Sequence, residues 1–361
     1  MMDCTRRRFL GTSLAAGGSR LGRKAWSAAP LELSLSGYPF YHVRPLTEGR
    51  VDIPHARISY QPGKIGDLNT HVFSSPRTLD VTEVGLSPFM LAYANNEFRA
   101  YSLIPVFPLR MFRHKSIFIH TDRGIRSPED LKGRRIGTPG YSSTSLTWIR
   151  GIMQHEYGVS PTDVHWVISA ADSSAGDAGK VSQQERMLPR NISVSTGPAG
   201  KDESQMLLDG DVDALFHAGE PEAFTAGHPK VIRLFENSRA VEQDYFRRTG
   251  IFPIMHAVAM RNDLIDANPW LPEAVFNAYC EAKALHYARL REQWMFGTMP
   301  WFLQDYEETR VLMGSNFWPY GIEANRKALE ALFLYSYEQG LAQRRLTVEE
   351  LFHPSTLRLT D

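Results

Sequence analysis

Two short segments of this 361-residue chain carry side chains suited to binding an anion and moving a proton. Residues 105–114 read PVFPLRMFRH and residues 248–256 read RTGIFPIMH. Each joins Phe-Pro to apolar residues and ends in a histidine, His114 or His256, with arginine close by. Arg110 and Arg113 serve the first segment, and a guanidinium pairs with a carboxylate in a fixed, two-pronged geometry. Imidazole exchanges protons near neutral pH. Thr249 and Phe252 add a hydroxyl and a ring to the second segment. Together these groups fit an anionic, aromatic small molecule. The same residues also read as two buried strands with arginine at their ends.

Proline fixes its own φ and biases its predecessor toward extended backbone, so both segments should be stiff crossings. They bracket a central section of α/β character. A chain that leaves one lobe and returns to it needs two such crossings, and they would line the cleft between lobes. Alternation along a strand sends Arg110 and Arg113 to opposite faces. Arg113 and His114 alternate too, so both reach the cleft only if the strand bends there.

Residues 31–37 alternate apolar and polar, as a half-buried first strand does. Tyr38 and Phe40, in the turn after it, occupy a common ligand-facing position of α/β sheets and could wall a ring. Residues 51–61 read as a second strand, and 80–87 as a strand or turn ending at Ser87 before Pro88. After the first crossing come a strand at 115–121 and a capped helix start at Ser127-Pro128-Glu129-Asp130. Tyr141, Ser142, Ser143 and Thr144 then open a helix over about 145–157. Hydroxyls at a helix N-terminus suit an anion, although plain capping needs only one of them. Residues 171–203 are polar and Gly/Ser-rich, a surface segment of the kind that forms flaps. Residues 205–219 read as helix, turn and strand, with Glu220 at the strand's edge, and 257–264 follow the second crossing as a strand. Helices at 271–291 and about 323–344 close the chain.

Composition is ordinary for a globular protein, 43% hydrophobic and 22% charged, which excludes a disordered chain. The first 29 residues read as a twin-arginine export segment. TRRRFL precedes a short, weakly apolar stretch, and SAAP offers cleavage after Ala29. That segment takes six Lys/Arg and one Asp with it, leaving 34 basic against 39 acidic residues, a net of −5. Nucleic acid, which needs a basic surface, is therefore not an expected partner. Cys280 remains as a single core thiol, so no internal disulfide is expected. No metal site is expected either. His155-Glu156 lacks a second histidine four residues on, and His114 and His120 are too far apart on a strand. Phosphate-loop, dinucleotide and Gly-x-Ser-x-Gly signatures are missing, and no cofactor is expected.

Several stretches carry a family resemblance. A strand, SPEDLKGRRIGTPG, a hydroxyl-rich helix start and MLLDGDVDAL look like the second lobe of a type II periplasmic binding protein fold. Within that fold the chain resembles the 4,5-dihydroxyphthalate decarboxylase family. The matching stretches are PVFPLRMFRH, WIRGIMQHEYGV, RLFENSRAVEQDYFRRTGIFPIMH, NPW, WPYGIEANRKALEAL and EELFHP, in order along nearly the whole mature chain. The resemblance implies an α/β, two-lobed fold with C-terminal helices. One lobe would be 31–113 plus 255–361, and the other 114–254.

It also implies a cofactor-independent decarboxylation of an aromatic dicarboxylate, part of phthalate breakdown. That chemistry needs an acid for the ring carbon, for which His114 and His256 are the candidates. Glu220 could orient a histidine or accept a hydroxyl proton. Arg113, with Arg110 second, would hold the carboxylate that stays, and Ser142, Ser143 and Thr144 the other. Tyr38, Phe40, Ser87, Tyr141, Thr249 and Phe252 complete the candidate substrate contacts. Export points to a periplasmic location and to the alternative, a solute-binding protein that delivers an aromatic carboxylate to a membrane transporter. Under either reading the twin-arginine export machinery is a partner.

Overall fold

The alternating and proline-punctuated segments build two sheets. The computed structural model describes residues 29–173, 179 and 182–361. The proposed export segment lies outside the described residues but for Ala29, as do 174–178 and 180–181 of the Gly/Ser-rich segment. Leu31–Asp361 forms one compact unit.

The first sheet contains β1 (Leu31–Gly37), β2 (Ala56–Pro62), β3 (Val81–Gly85), β4 (Tyr101–Ile104) and β11 (His256–Arg261). Its order is β2-β1-β3-β11-β4. β1 runs parallel to β2 and β3, whereas β11 runs antiparallel to β3 and β4. The second sheet is made entirely from the sequence between β4 and β11. It contains β5 (Ile117–His120), β6 (Arg135–Thr138), β7 (His165–Ile168), β8 (Val194–Thr196), β9 (Ala214–Phe216) and β10 (Val231–Arg233). Its order is β10-β5-β9-β6-β7-β8. β3 is buried along its whole length, and β11 everywhere but Arg261, so neither alternates in the manner of a half-solvated strand.

The two crossings lie against each other. Met111 donates its N–H to Pro253 O at 3.0 Å, and Met255 donates to Leu109 O at 2.9 Å. An antiparallel bridge joins Arg110 and Ile254. Trp318 adds its indole N–H to Phe107 O at 2.8 Å. The chain therefore passes between the sheets through a paired, side-braced ribbon.

Several boundaries differ from the sequence expectation for local reasons. The second strand begins at Ala56, because Pro54 has no N–H and His55 sits at φ 64. Pro88 and Phe89 fall inside a helix, Leu86–Asn95, with proline in its first turn where its missing N–H costs nothing. The helix Leu271–Phe296 runs further than expected, and a helix at Phe302–Met313 had no clear periodic signal. The last long helix is Arg326–Glu338. It packs on Thr144–Tyr157, and a side chain at Gly151 would come within 2.0 Å of the Tyr335 ring. Gln339 extends that contact, accepting from Arg150 Nε at 2.8 Å and donating to Thr147 O at 2.9 Å.

Candidate functional site

The first crossing separates the two residues that sequence alternation had set apart. Arg113 is 3% exposed and turns toward the second sheet. Its guanidinium donates to Ala218 O at 2.6 Å and to the Ser145 hydroxyl, and Nε lies 3.3 Å from Met255 Sδ. Among the described residues no carboxylate lies within ion-pair distance of it. Burial lowers its pKa to about 9, and the Glu242 charge acts the other way. A buried guanidinium bonded only to neutral acceptors is ready for an anion.

His114 goes the opposite way and is corrected as a candidate acid. It has no exposed surface, and both ring nitrogens lack a partner. The rings of Tyr157, Phe235 and Tyr245 enclose it at 5.1–6.2 Å. Burial, with help from the Arg248 charge, pulls its pKa down to about 4. It stays neutral in an aromatic cage and cannot touch a ligand. This depressed pKa makes a pH-dependent contribution to stability. The contribution is complete above about pH 6.5 and is lost as pH falls toward about 4. His114→Phe should therefore lose less stability than the parent between pH 7 and pH 4, by on the order of 2 kcal/mol in urea titrations. An unchanged difference would show that the cage hydrates on acidification.

Arg110 is a brace for the ribbon. It donates to Phe252 O at 2.7 Å and Pro319 O at 3.2 Å, and stacks over the Phe252 ring at 4.8 Å. Phe252 itself packs between Phe112 and Trp318. Thr249 closes the helix Ser238–Thr249 by donating to Tyr245 O at 2.7 Å. Phe252 and Thr249 are packing elements, and Arg110 braces the ribbon with its two terminal nitrogens while its buried Nε has no partner.

The expected hydroxyl cluster is likewise mostly occupied. Ser142 donates to Gln184 O at 2.8 Å, and Ser143 caps the helix by accepting the Leu146 N–H at 3.3 Å. Thr144 accepts the Ser87 N–H at 2.9 Å, and the Ser87 hydroxyl meets that of Thr147 at 3.4 Å. Ser87 and Thr144 thus join the helices behind the two sheets. Tyr141 is core, with Arg150 over its ring at 3.6 Å and Trp166 edge-on. Ser145, the residue after Thr144, is the hydroxyl that meets Arg113. Glu220 is half exposed and ion-paired with Arg233, so it orients no histidine.

His256 pairs with a buried carboxylate. It opens β11 and is 8% exposed. Its Nδ1 lies 2.5 Å from Oε1 of Glu83, a buried acid on β3. The second Glu83 oxygen accepts the Tyr38 N–H at 2.8 Å. Gly37 permits this approach, since a Cβ there would sit 3.0 Å from Glu83 Oε2. The carboxylate fixes the ring and leaves Nε2 for exchange. Tyr38 lies nearly parallel to the imidazole at 6.2 Å, with Phe40 5.5 Å from Tyr38. Met255 connects the two halves of the site. Its sulfur touches Arg113 and Ser145, and its neighbour in sequence is His256. A cavity of about 750 Å³ opens beside Tyr38, lined by Ser36, Gln61, Gly63 and Lys64 at the ends of β1 and β2. It borders this site but reaches neither Arg113 nor His256. Gly179 lies against Lys64 and Asp67 there.

Sequence reasoning missed Glu83, whose only signal is an acid inside the apolar strand DVTEVG. It also missed a buried group on the second sheet, in which Asp172, Glu203 and His217 come together.

A 4,5-dihydroxyphthalate decarboxylase of Comamonas testosteroni is 34% identical over 330 residues, covering 91% of this chain and 98% of that one. The chain belongs to the 4,5-dihydroxyphthalate decarboxylase family. A second family member, from Pseudomonas putida, is 33% identical over 217 residues, covering 60% of this chain and 82% of its own. The family model described as "NMT1/THI5 like" matches residues 111–181. Among solved structures, the periplasmic aliphatic sulphonate binding protein SsuA of Escherichia coli superposes with a TM-score of 0.52 at 15% identity. That match covers 90% of this chain and 97% of the other. The family member thus has the two-lobed type II periplasmic binding protein fold that its sequence resembles.

Proposed function

We propose that this chain is a carboxy-lyase that removes one carboxylate of a dihydroxylated phthalate as CO2. The full-length match to a decarboxylase carries the reading. The geometry supplies parts that the reaction needs. A hydroxyl para to the departing carboxylate pushes electrons into the ring once a base accepts its proton. The ring carbon takes up a proton from an acid, and the carbon–carbon bond breaks. No electron acceptor is consumed. His256, oriented by Glu83, handles one of the two proton transfers. Arg113 holds the carboxylate that remains, assisted by Ser145, and Tyr38 with Phe40 faces the ring. Closure of the lobes around the ribbon would exclude water from the leaving CO2.

Arg113→Ala should weaken binding of 4,5-dihydroxyphthalate by about 1.5–3 kcal/mol, the scale of a charged hydrogen bond, in calorimetric titrations. Equal affinity in parent and variant would remove Arg113 from the site. The deciding experiment is CO2 release from 4,5-dihydroxyphthalate by the purified protein, with 3,4-dihydroxybenzoate identified by mass spectrometry. A ligand-dependent rise in melting temperature without turnover would favour the solute-binding alternative.

We also read residues 1–29 as a twin-arginine export segment that sends the enzyme to the periplasm. Fused to a reporter, the segment should direct export. Replacing Arg7 and Arg8 by Lys should hold the reporter in the cytoplasm, and export unaffected by that change would refute the assignment.

A further inference from the structure

The side of the molecule away from the cavity at Tyr38 ties the two sheets together. The helix Thr144–Tyr157 follows β6 and belongs with the second sheet. The helix Arg326–Glu338 is anchored on the first. Asn95, at the end of the helix that follows β3, donates to Leu341 O at 2.9 Å and accepts the Gln343 N–H at 2.9 Å. Further on, Phe352 bridges to Leu103 of β4.

The two helices meet along one face of each. Trp148, Gly151 and His155 recur at a spacing of three and four, which places them on one side of their helix. Tyr335 fills the notch that Gly151 leaves, edge-on to Trp148 at 5.5 Å and 4.7 Å from the His155 ring. Gln339 is buried and spends both ends of its amide on the same helix, accepting from Arg150 and donating to Thr147 O. His155 Nε2 lies 2.6 Å from Glu338 Oε2. The Trp148 indole N–H reaches Ile254 O of the ribbon at 2.9 Å, and Arg190, in the segment before β8, donates its N–H to Gly340 O at 3.3 Å.

These contacts lie in one continuous core. Leu33, Val81 and Ile104 of the first sheet belong to the same buried cluster as Ile136, Trp166 and Phe216 of the second. Domains move against each other by default, unless their interface is large and apolar, as it is here. Parting the sheets would bring Trp148 and Tyr335, both buried, into water. One group pulls the other way. Arg150 Nη1 is buried without a partner, and hydration would relieve it. A single unmade hydrogen bond is small beside an apolar core that runs through both sheets.

We infer that the two sheets stay closed whether or not ligand is bound, so that ligand enters and leaves without hinge motion. Entry then falls to the side where the cavity of about 750 Å³ opens beside Tyr38. A periplasmic binding protein closes around its ligand by hinge motion. A chain whose sheets do not part has no such movement with which to report that it is loaded. The closure that the proposed reaction calls for is built in, and water is kept out without a conformational step. The inference concerns the frame and stands apart from the decarboxylase reading.

The test is double electron–electron resonance on the full-length chain with Cys4 and Cys280 replaced by Ser. Spin labels go on Ser59→Cys in β2 and Lys132→Cys ahead of β6, two exposed positions on the two sheets. Without added ligand, one narrow distance distribution is expected, and saturating 4,5-dihydroxyphthalate or phthalate should leave it in place. A second, longer population in the unliganded protein, or a shift of more than about 2 Å on addition of either acid, would overturn the inference. Gln339→Ala combined with Tyr335→Ala should add a longer population. A folded double variant with the parental distribution would overturn the assignment of the tie to these residues. If that variant does not fold, the unliganded parent still decides. Absence of turnover would sink the decarboxylase reading and leave the distance result standing.

Discussion

Replacing His256 by Asn should reduce kcat for decarboxylation by about 10²–10⁴-fold and move KM by less than about threefold. The asymmetry follows from geometry. His256 is nearly buried and its Nδ1 is held by Glu83, so what it offers a ligand is one exchangeable site at Nε2. Under the proposed function binding rests on Arg113 and the aromatic wall, which the substitution leaves alone. Asparagine can still donate to Glu83, so the buried acid keeps a partner and the fold is spared an unpaired charge. Steady-state kinetics with the melting temperature measured alongside would decide it. A rise in KM at constant kcat would make His256 a binding residue, and an unchanged kcat would take it out of the reaction.

The second large effect concerns stability and lies far from the chemistry. Lys283, on the helix Leu271–Phe296, forms a buried ion pair with Asp361, each side chain 5% exposed. The ammonium also donates to Asn316 Oδ1 at 3.0 Å and Trp318 O at 2.8 Å. Asp361 in turn accepts the Tyr320 N–H at 2.9 Å. One pair thus ties the long helix to the segment that braces the ribbon through Trp318. Lys283→Met removes the cation and strands a buried carboxylate, which should cost about 3–5 kcal/mol in urea denaturation. Adding Asp361→Leu should recover a large part of that loss, because an apolar pair has no charge to desolvate. A single variant as stable as the parent would mean that water reaches Asp361.

The crossings were legible because proline, arginine and histidine recur there in one order, and local backbone stiffness survives folding. The orientation of Arg113 and His114 was legible only as a conflict. Alternation put them on opposite faces, and the structure keeps that rule, turning Arg113 toward Ala218 and Ser145 and His114 into the aromatic cage. The hydroxyl run at 142–144 misled because capping, a tie to Gln184 and the bond to Ser87 use the same groups that would bind an anion. Gln184 and Ser87 are distant in sequence, and no periodicity announces them. Glu83 and His217 were invisible for a related reason. Each lies within or beside an apolar strand, where a lone polar residue looks like an exception until its partner arrives from another element.

The place of β11 in the first sheet sets the order in which the molecule can be completed. It lies between β3 and β4, yet is synthesised after the whole second sheet. A nascent chain can pair β1 with β2 and β3 early, but the gap beside β3 stays open until the roughly 170 residues from Gly85 to His256 have emerged. Contacts so distant in sequence form slowly, because a long loop must close before they contribute. The second sheet waits over a shorter span, since β9 lies between β5 and β6 and is made after β7 and β8. His256 is the first residue of the late strand and Glu83 belongs to the early one, so their pairing is a product of the final closure. A chain stalled before that step would present a finished second lobe and Glu83 without its histidine, with the bare edge of β3 exposed to other chains.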